Sequence, residues 1–174
     1  MRNLLFILLA FVFIKCDNSL DIDMTAVNAL APIYTQIEIG DEVSEEPREY
    51  SAVDQIENYG NLILLIEKET GVHVIDNNDL DNPVNIAFLV LPGITSFSIK
   101  DDFLIASLAN HLMTIEIVDI ENSTVASIIE QPSPNGFGSY PNTGFDGRFE
   151  CVDLSKGIVA GWEMKSIINP QCEV

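Results

Sequence analysis

The central part of the chain, residues 60–93, alternates short apolar runs with polar turns. Its apolar runs fall at residues 63–66, 72–75 and 86–91, and each has the length of a strand rather than that of a helix. The intervening turns are rich in Asn and Asp, and Pro83 interrupts the path before the third run. The pattern predicts three short antiparallel strands.

A second stretch, residues 94–131, repeats this pattern about 40 residues later, a spacing typical of propeller blades. Four further strands are predicted, with a tight turn at residues 101–102. We therefore expect an all-β fold of short antiparallel, blade-like sheets from two repeats, at about 60–93 and 94–131. Matched positions include Ile75 with Ile115, Asn82 with Asn122 and, roughly, Val84 with Val125.

The flanks of the repeats give weaker patterns. Residues 16–32 have little periodicity and predict a tether, whereas residues 33–39 alternate as a strand and open a single domain, 33–174. Residues 40–50 predict an acidic loop whose carboxylates either stay solvated or bind a cation. Residues 132–147 are rich in Pro and Gly and predict a loop, and residues 148–165 predict a hairpin of two strands.

The N-terminus has the features of an export signal. Arg2 precedes the apolar run Leu4–Ile14, whose 11 residues are fewer than the roughly 20 that span a bilayer. A Cys directly after such a run, here Cys16, resembles a bacterial lipoprotein signal. The resemblance implies removal of residues 1–15, a lipid on Cys16 and a place in the bacterial cell envelope, anchored by that lipid at the outer membrane. Lys15 stands where such signals usually have a small residue, so a secreted protein cut elsewhere and an uncleaved anchor remain alternatives.

Charge narrows the range of partners. The chain has 27 acidic and 8 basic residues, a formal charge of −19, and the acids are spread along its length. Phosphate binding requires clustered Lys or Arg, so we expect no nucleic acid partner. With 47% hydrophobic residues, the sequence predicts a folded domain with an acidic surface.

Export also bears on whether the cysteines form a disulfide. If Cys16 carries lipid, Cys151 and Cys172 remain as an even pair in an oxidising compartment. A disulfide between them is the preferred prediction, and two free thiols are the alternative.

The two repeats resemble the LVIVD repeats of bacterial surface and envelope proteins, which are similar to β-propeller blades. The resemblance rests on a strand that ends in two apolar residues and Asp, followed by a D-x-x-N-P turn. The first copy has all of these residues, whereas the second has Ser123 in the place of Pro. The resemblance implies an incomplete propeller-like array, because a closed ring needs at least four blades. We expect a monomer whose flanking strands cover the array, and pairing of chains is the alternative. The matching residues are Val74, Ile75, Asp76, Asp79, Asn82 and Pro83 in the first copy, and Ile117, Val118, Asp119 and Asn122 in the second.

Candidate chemistry is sparse. His73 and His111 have too few neighbouring ligands for zinc and predict ordinary surface histidines. Residues 76–82 lack the Gly and Glu of an EF-hand and predict an Asx-type turn. No nucleophile or phosphate-loop motif is present, and we expect neither a cofactor nor a metal.

Two functional hypotheses follow. The first is a non-catalytic envelope lipoprotein that presents its β-sheet surface to a protein or glycan, with Phe137, Tyr140 and Trp162 as candidate contacts. The second is a hydrolase that uses acidic residues and a cation, which requires two converging carboxylates.

Overall fold

The computed structural model of the chain describes residues 25–109, 111–130 and 145–173. They form three sheets, with strand orders β2-β6-β5-β4-β3 (sheet 1), β10-β9-β8-β7 (sheet 2) and β12-β1-β11-β13 (sheet 3). The predicted all-β fold of short antiparallel sheets is confirmed, and the described strands close no barrel. The strands are β1 Ala26–Thr35, β2 Ser44–Glu45, β3 Val53–Tyr59, β4 Leu62–Glu67, β5 Gly71–Asp76, β6 Val84–Val90, β7 Ile94–Lys100, β8 Phe103–Leu108, β9 His111–Glu116, β10 Thr124–Glu130, β11 Arg148–Phe149, β12 Ile158–Ile168 and β13 Cys172–Glu173.

Sheets 1 and 2 repeat the same four-strand meander. Their first hairpins pair Tyr59 with Leu62 and Lys100 with Phe103, a shift of 41 residues along the chain. The last two strands of the repeats are shifted by 40 residues. In sheet 1 they begin at residues 71 (β5) and 84 (β6), and in sheet 2 at residues 111 (β9) and 124 (β10). The repeats therefore agree in strand order and in hairpin register.

The first strand of the first repeat, β3, was absent from the sequence prediction. Its apolar residues Val53 and Ile56 are three positions apart, because β3 has one residue more than β4 between these two pairs. A β-bulge of this kind breaks the alternation that identifies a strand. The first strand of sheet 2 has the same irregularity, between Ile94 and Ser96.

The two sheets share one apolar core, and they contribute non-equivalent faces to it. By register, Ala106 of sheet 2 corresponds to Leu65 of sheet 1, which lies on the opposite face of β4 from Leu64 and Ile66. Successive propeller blades stack in this way, whereas the two halves of a two-fold sandwich bring equivalent faces together. The core contains Leu64, Ile66, Val72, Val74, Ala87 and Leu89 from sheet 1, and Leu104, Ala106, Leu108, Met113, Ile115 and Val125 from sheet 2.

The strand pairing in sheet 3 contradicts two of the predictions. Residues 26–32 are not tether, because they lie in β1, which pairs along its length with β12. β1 lies between two strands, and its residues from Ala29 to Pro32 are all buried. This continuous burial explains why the segment shows no alternation.

The predicted hairpin at 148–165 is also wrong. Its two strands do not pair with each other: β12 pairs with β1, and β11 lies between β1 and β13. The turn at residues 154–156 is a short 3-10 helix capped by Asp153, whose carboxylate accepts a hydrogen bond from the backbone N–H of Ser155. Local sequence identifies two strands and a turn here, but only long-range pairing decides their partners.

The predicted disulfide is confirmed. Cys151 and Cys172 are bonded, with 5.3 Å between their Cα atoms, and Cys172 lies opposite Phe149 in the sheet. The bond therefore joins the segment that follows β11 to β13, the outer strand of sheet 3.

Candidate functional site

Sheets 1 and 2 are joined at one end by residues 40–45, which we call the bridging segment. Its backbone exchanges hydrogen bonds with β10, from Gly40 N–H to the Val125 carbonyl at 2.8 Å and from Val125 N–H to the Asp41 carbonyl at 2.9 Å. Further along the bridging segment, the Val43 carbonyl accepts a hydrogen bond from Val90 N–H at 2.8 Å. The next two residues form β2, which pairs with β6. The bridging segment thus adds to the outer strand of both sheets.

The bridging segment also explains where the second repeat departs from its pattern. Ser123, which stands where Pro is expected, is fully buried and donates its backbone N–H to the Ser44 hydroxyl at 3.0 Å. The Ser44 hydroxyl in turn donates to the Ile120 carbonyl at 2.9 Å. Because Pro has no N–H, a Pro at this position would leave the Ser44 hydroxyl without its donor.

Two open clefts lie beside the bridging segment and share the residues Glu42 and Glu45. The first has a volume of about 290 Å³ and the second one of about 310 Å³. We call them together the acidic double cleft, since none of the residues that line them is Lys or Arg. Their acidic residues are Asp41, Glu42 and Glu45 in the first, and Glu42, Glu45, Glu46 and Glu121 in the second.

Apolar residues also line each cleft. They include Val43 and Val90 in the first cleft, and Ile86 and Ala87 in the second. The carboxylates attract a cationic side chain, and the apolar residues beside them accommodate its aliphatic part. The arrangement is therefore suited to binding Lys or Arg side chains.

One basic residue stands at the border of this region. Arg48 forms an ion pair with Glu45 at 2.8 Å, and its guanidinium group lies 3.7 Å from the centroid of the Phe88 ring. Glu45 is therefore partly neutralised, and no ion pair is observed for the described side chains of Glu42, Glu46 and Glu121. These three carboxylates are the ones best placed to receive a cationic partner.

Arg48 belongs to residues 46–52, which cross the outer face of sheet 1. We call these residues the strap. Beneath it His73 is fully buried, and its Nε2 lies 2.9 Å from Oε2 of Glu67. The ring of Tyr50 covers His73 at 4.9 Å, and Phe88 contacts it edge-on at 4.7 Å. The expectation of a surface histidine at position 73 is therefore wrong, because the strap buries that face of β5.

The carboxylate of Glu67 holds this arrangement together. Hydrogen bonds from His73 and Ser51 lower the pKa of Glu67 below its ordinary value of 4.5, although burial opposes the shift. Burial also lowers the pKa of His111, which is half-buried at the start of β9. The two histidines therefore occupy different environments.

The structure places one of the three candidate partner contacts. Trp162 is half-buried in β12 and packs edge-on against Phe149 at 5.6 Å, which makes it a packing residue of sheet 3. Phe137, Tyr140 and the lipidation candidate Cys16 lie outside the described residues. The proposed set of aromatic contacts therefore stays a prediction.

The predicted Asx-type turn at residues 76–82 is confirmed. The carboxylate of Asp76 accepts from Asn78 N–H at 2.9 Å, and that of Asp79 accepts from Asp81 N–H at 3.1 Å. In the described parts of the chain, no group of three or more His, Cys, Asp and Glu is arranged to hold a metal ion.

The sequence predicts residues 40–50, which contain most of the acids of the double cleft, as an acidic loop that either stays solvated or binds a cation. The segment has many acids and Pro47, and its single buried apolar residue, Val43, gives no periodicity. The clefts exist because the bridging segment pairs with β6 and β10, strands that lie more than 40 residues later in the chain, and the local pattern does not reveal such pairing. Val43, the one buried apolar residue among these acids, was the only feature of the sequence that could have indicated packing of this segment against the sheets.

Two further observations concern location and relatives. None of the helices within residues 25–109, 111–130 and 145–173 has the length and apolar character needed to cross a membrane. Comparison of the chain with protein-family models, with curated proteins and with solved structures found no match to any of them.

Proposed function

We propose that this chain is a non-catalytic protein of the bacterial cell envelope that binds a basic segment of a partner protein in the acidic double cleft. The observation that carries the proposal is the pair of adjoining clefts, which share Glu42 and Glu45 and are lined by acids without a basic residue. Their openness suits an extended segment with several Lys or Arg side chains.

Electrostatics favours this class of partner over a glycan. The lining of the two clefts contains no aromatic ring on which a sugar would stack, whereas its carboxylates attract cations. The formal charge of −19 adds a long-range attraction for basic partners, which increases the rate of encounter at low salt. A basic protein segment satisfies both the local and the global charge.

The location belongs to the same proposal. A lipid on Cys16 ties the chain to the envelope, and residues 17–24 separate this anchor from the first described residue of the sheet domain. The likeness to LVIVD repeats is supported by the two turns, in which Asn82 N–H donates to the Asp79 carbonyl at 3.1 Å and Asn122 N–H to the Asp119 carbonyl at 3.0 Å.

The binding site is tested with a lysine-rich decapeptide as the probe, in titrations at several salt concentrations. The variant E42Q/E46Q/E121Q removes three charges from the clefts without removing an observed ion pair. We expect it to weaken binding by roughly tenfold or more at 0.05 M salt, since three charge pairs with the peptide are lost and each contributes about 0.5–1 kcal/mol.

A matched control removes the same charge elsewhere. Glu57, Glu116 and Glu130 are not among the residues that line the clefts, and the triple variant E57Q/E116Q/E130Q carries the same net charge as the cleft variant. We expect it to weaken binding by less than threefold. Equal losses in both variants would show that only the overall charge attracts the peptide, and would refute a site at the clefts.

The anchor is tested separately by growing the producing bacterium with labelled palmitate. The wild-type chain should carry the label and Cys16→Ala should not. An unlabelled wild-type chain would remove the lipid anchor from the proposal and leave the cleft unaffected.

A further inference from the structure

The outer edge of β12 differs from the outer edges of β3, β6, β7 and β10. β12 ends the order of sheet 3, and the residues of the described chain leave its outer side unpaired from residue 161 onward. Its beginning is covered, since a Cβ at Gly93 would contact Val159 and Ala160. A free edge of about eight residues remains.

The edges of β6, β7 and β10 are covered by their own chain. At β7 the side-chain amide of Gln55 donates to the Phe97 carbonyl at 2.8 Å and accepts from the Phe97 N–H at 3.4 Å, as a neighbouring strand would. The bridging segment covers the edges of β6 and β10. The edge strand β3 carries a β-bulge between Val53 and Ile56, which interrupts its regular ladder and is a common protection against pairing.

The backbone groups of β12 that point to the free edge are identified by the pairing of β1. The Leu30 carbonyl accepts from Glu150 N–H at 2.8 Å, so Leu30 directs its backbone groups towards β11 and away from β12. The pair Leu30–Met164 is therefore a non-hydrogen-bonded pair, and Met164 directs its own N–H and C=O to the free edge. By the same alternation, Trp162, Ser166 and Ile168 do so as well.

The side chains along this edge are complementary to a second copy of themselves. When two β12 strands pair antiparallel about Met164, Glu163 of each copy lies opposite Lys165 of the other, on one face. On the opposite face Met164, which is 55% exposed, meets its own symmetry mate. Glu163 and Lys165 are 44% and 54% exposed and form an ion pair within the strand, so their charges are available to a second strand.

From these observations we infer that two copies of this chain pair through β12, antiparallel and centred on Met164, and that sheet 3 continues across the interface. Each copy would contribute the free backbone groups of Trp162, Met164 and Ser166, in hydrogen-bonded pairs that include Met164 with its mate. The flanking cross-strand ion pairs fix the register, because a shift by two residues would bring like charges closer. This inference concerns a surface away from the clefts and does not rest on the proposed function.

The register is tested by disulfide cross-linking of the full chain as the producing cells process it. In the proposed dimer the Cα atoms at position 164 are about 5.5 Å apart, within the range of a disulfide. Those at position 166 are separated by four residues along the strands, or roughly 13 Å. We expect M164C to form a cross-linked dimer under mild oxidation and S166C to give less than one tenth of that yield.

Mass spectrometry must assign the cross-link to the peptide that contains position 164, since Cys16, Cys151 and Cys172 are also present. Equal yields for M164C and S166C, or no cross-link at position 164, would overturn the inference.

The charge pairing is tested by sedimentation equilibrium of the same full chain. In K165E, Glu163 of each copy lies opposite a second glutamate at position 165 of the other copy. Because this places two repulsive pairs in the interface, we expect the association constant to fall by roughly tenfold or more. The double variant E163K/K165E exchanges the charges and should restore association to within about threefold of wild type. Wild-type association of K165E, or failure of the exchange to restore it, would contradict pairing through β12.

Discussion

The corresponding faces of sheets 1 and 2 pack against different neighbours. In sheet 2 this face packs against sheet 1, and its residues Leu108 and Met113 are fully buried and apolar. By register the same positions in sheet 1 are Glu67 and His73, which form a hydrogen-bonded pair beneath the strap. The sequence changes from apolar to polar at the positions where the neighbour changes from a sheet to a loop.

This difference shows how an array of two repeats ends. A repeat that lacks a preceding neighbour exposes an apolar face, and terminal repeats of such arrays are therefore atypical and capped. Here the strap is the cap, and it is held by Arg48 over the Phe88 ring and by a hydrogen bond from Asn85 to the Arg48 carbonyl at 2.9 Å. Each of the following changes tests a different part of this contrast, with unfolding in urea and an intact disulfide as the common measurement.

The largest effect is expected at the interface between the sheets. Leu104 is fully buried there, and Leu104→Ala should lower the free energy of unfolding by about 3 kcal/mol because it leaves a cavity. Its register equivalent in sheet 1 is Ile63, which is half-buried, and Ile63→Ala should cost about 1 kcal/mol. Equal losses would contradict the non-equivalent use of the two faces.

The start of β5 gives the second test. A Cβ at Gly71 would meet the Leu89 carbonyl oxygen and the Phe88 ring, whereas the equivalent residue of sheet 2, His111, already has a side chain. Gly71→Ala should therefore cost about 2 kcal/mol through overpacking. A neutral effect would show that the strap side of sheet 1 is not closely packed.

The strap itself is expected to contribute less. Arg48→Ala removes the guanidinium group from the Phe88 ring and the ion pair to Glu45, and should cost about 1 kcal/mol. Lys100→Ala, on the exposed outer face of sheet 2, is the matched control and should stay within about 0.5 kcal/mol of wild type. Indistinguishable results would mean that the strap does not act as a cap.

The smallest effect depends on pH. The pKa of Glu67 is lowered in the folded chain, so the unfolded chain binds more protons as the pH falls through this range. The stabilisation from Glu67 is complete above its ordinary pKa of 4.5 and is lost as the pH falls through the lower, folded value. The difference in unfolding free energy between wild type and Glu67→Gln should therefore shrink below about pH 4.5.

Leu108→Val, at the equivalent position of sheet 2, provides the control. Leu108 has no titrating group, so the cost of this substitution should not change with pH over the same interval. A pH-independent effect of Glu67→Gln would contradict a folded-state role for the Glu67 carboxylate.

Much of the two repeats followed from the sequence, because the information is local. Runs of apolar residues fixed the lengths of β4 and β5, and the Asp residues of 76–82 specified a turn through hydrogen bonds to backbone groups two residues away. The pair Cys151–Cys172 followed from the predicted export signal and the number of cysteines. These features need only neighbours in the chain or a count of residues.

The tertiary structure alone decided which strands pair when they lie far apart in the chain. Residues 26–32 became an interior strand only because β12, more than 120 residues later, pairs with them. The acidic double cleft likewise required the bridging segment to reach β6 and β10. A strand edge has backbone donors and acceptors that fit almost any other edge, so the choice of partner depends on packing over the whole molecule and leaves little trace in the local sequence.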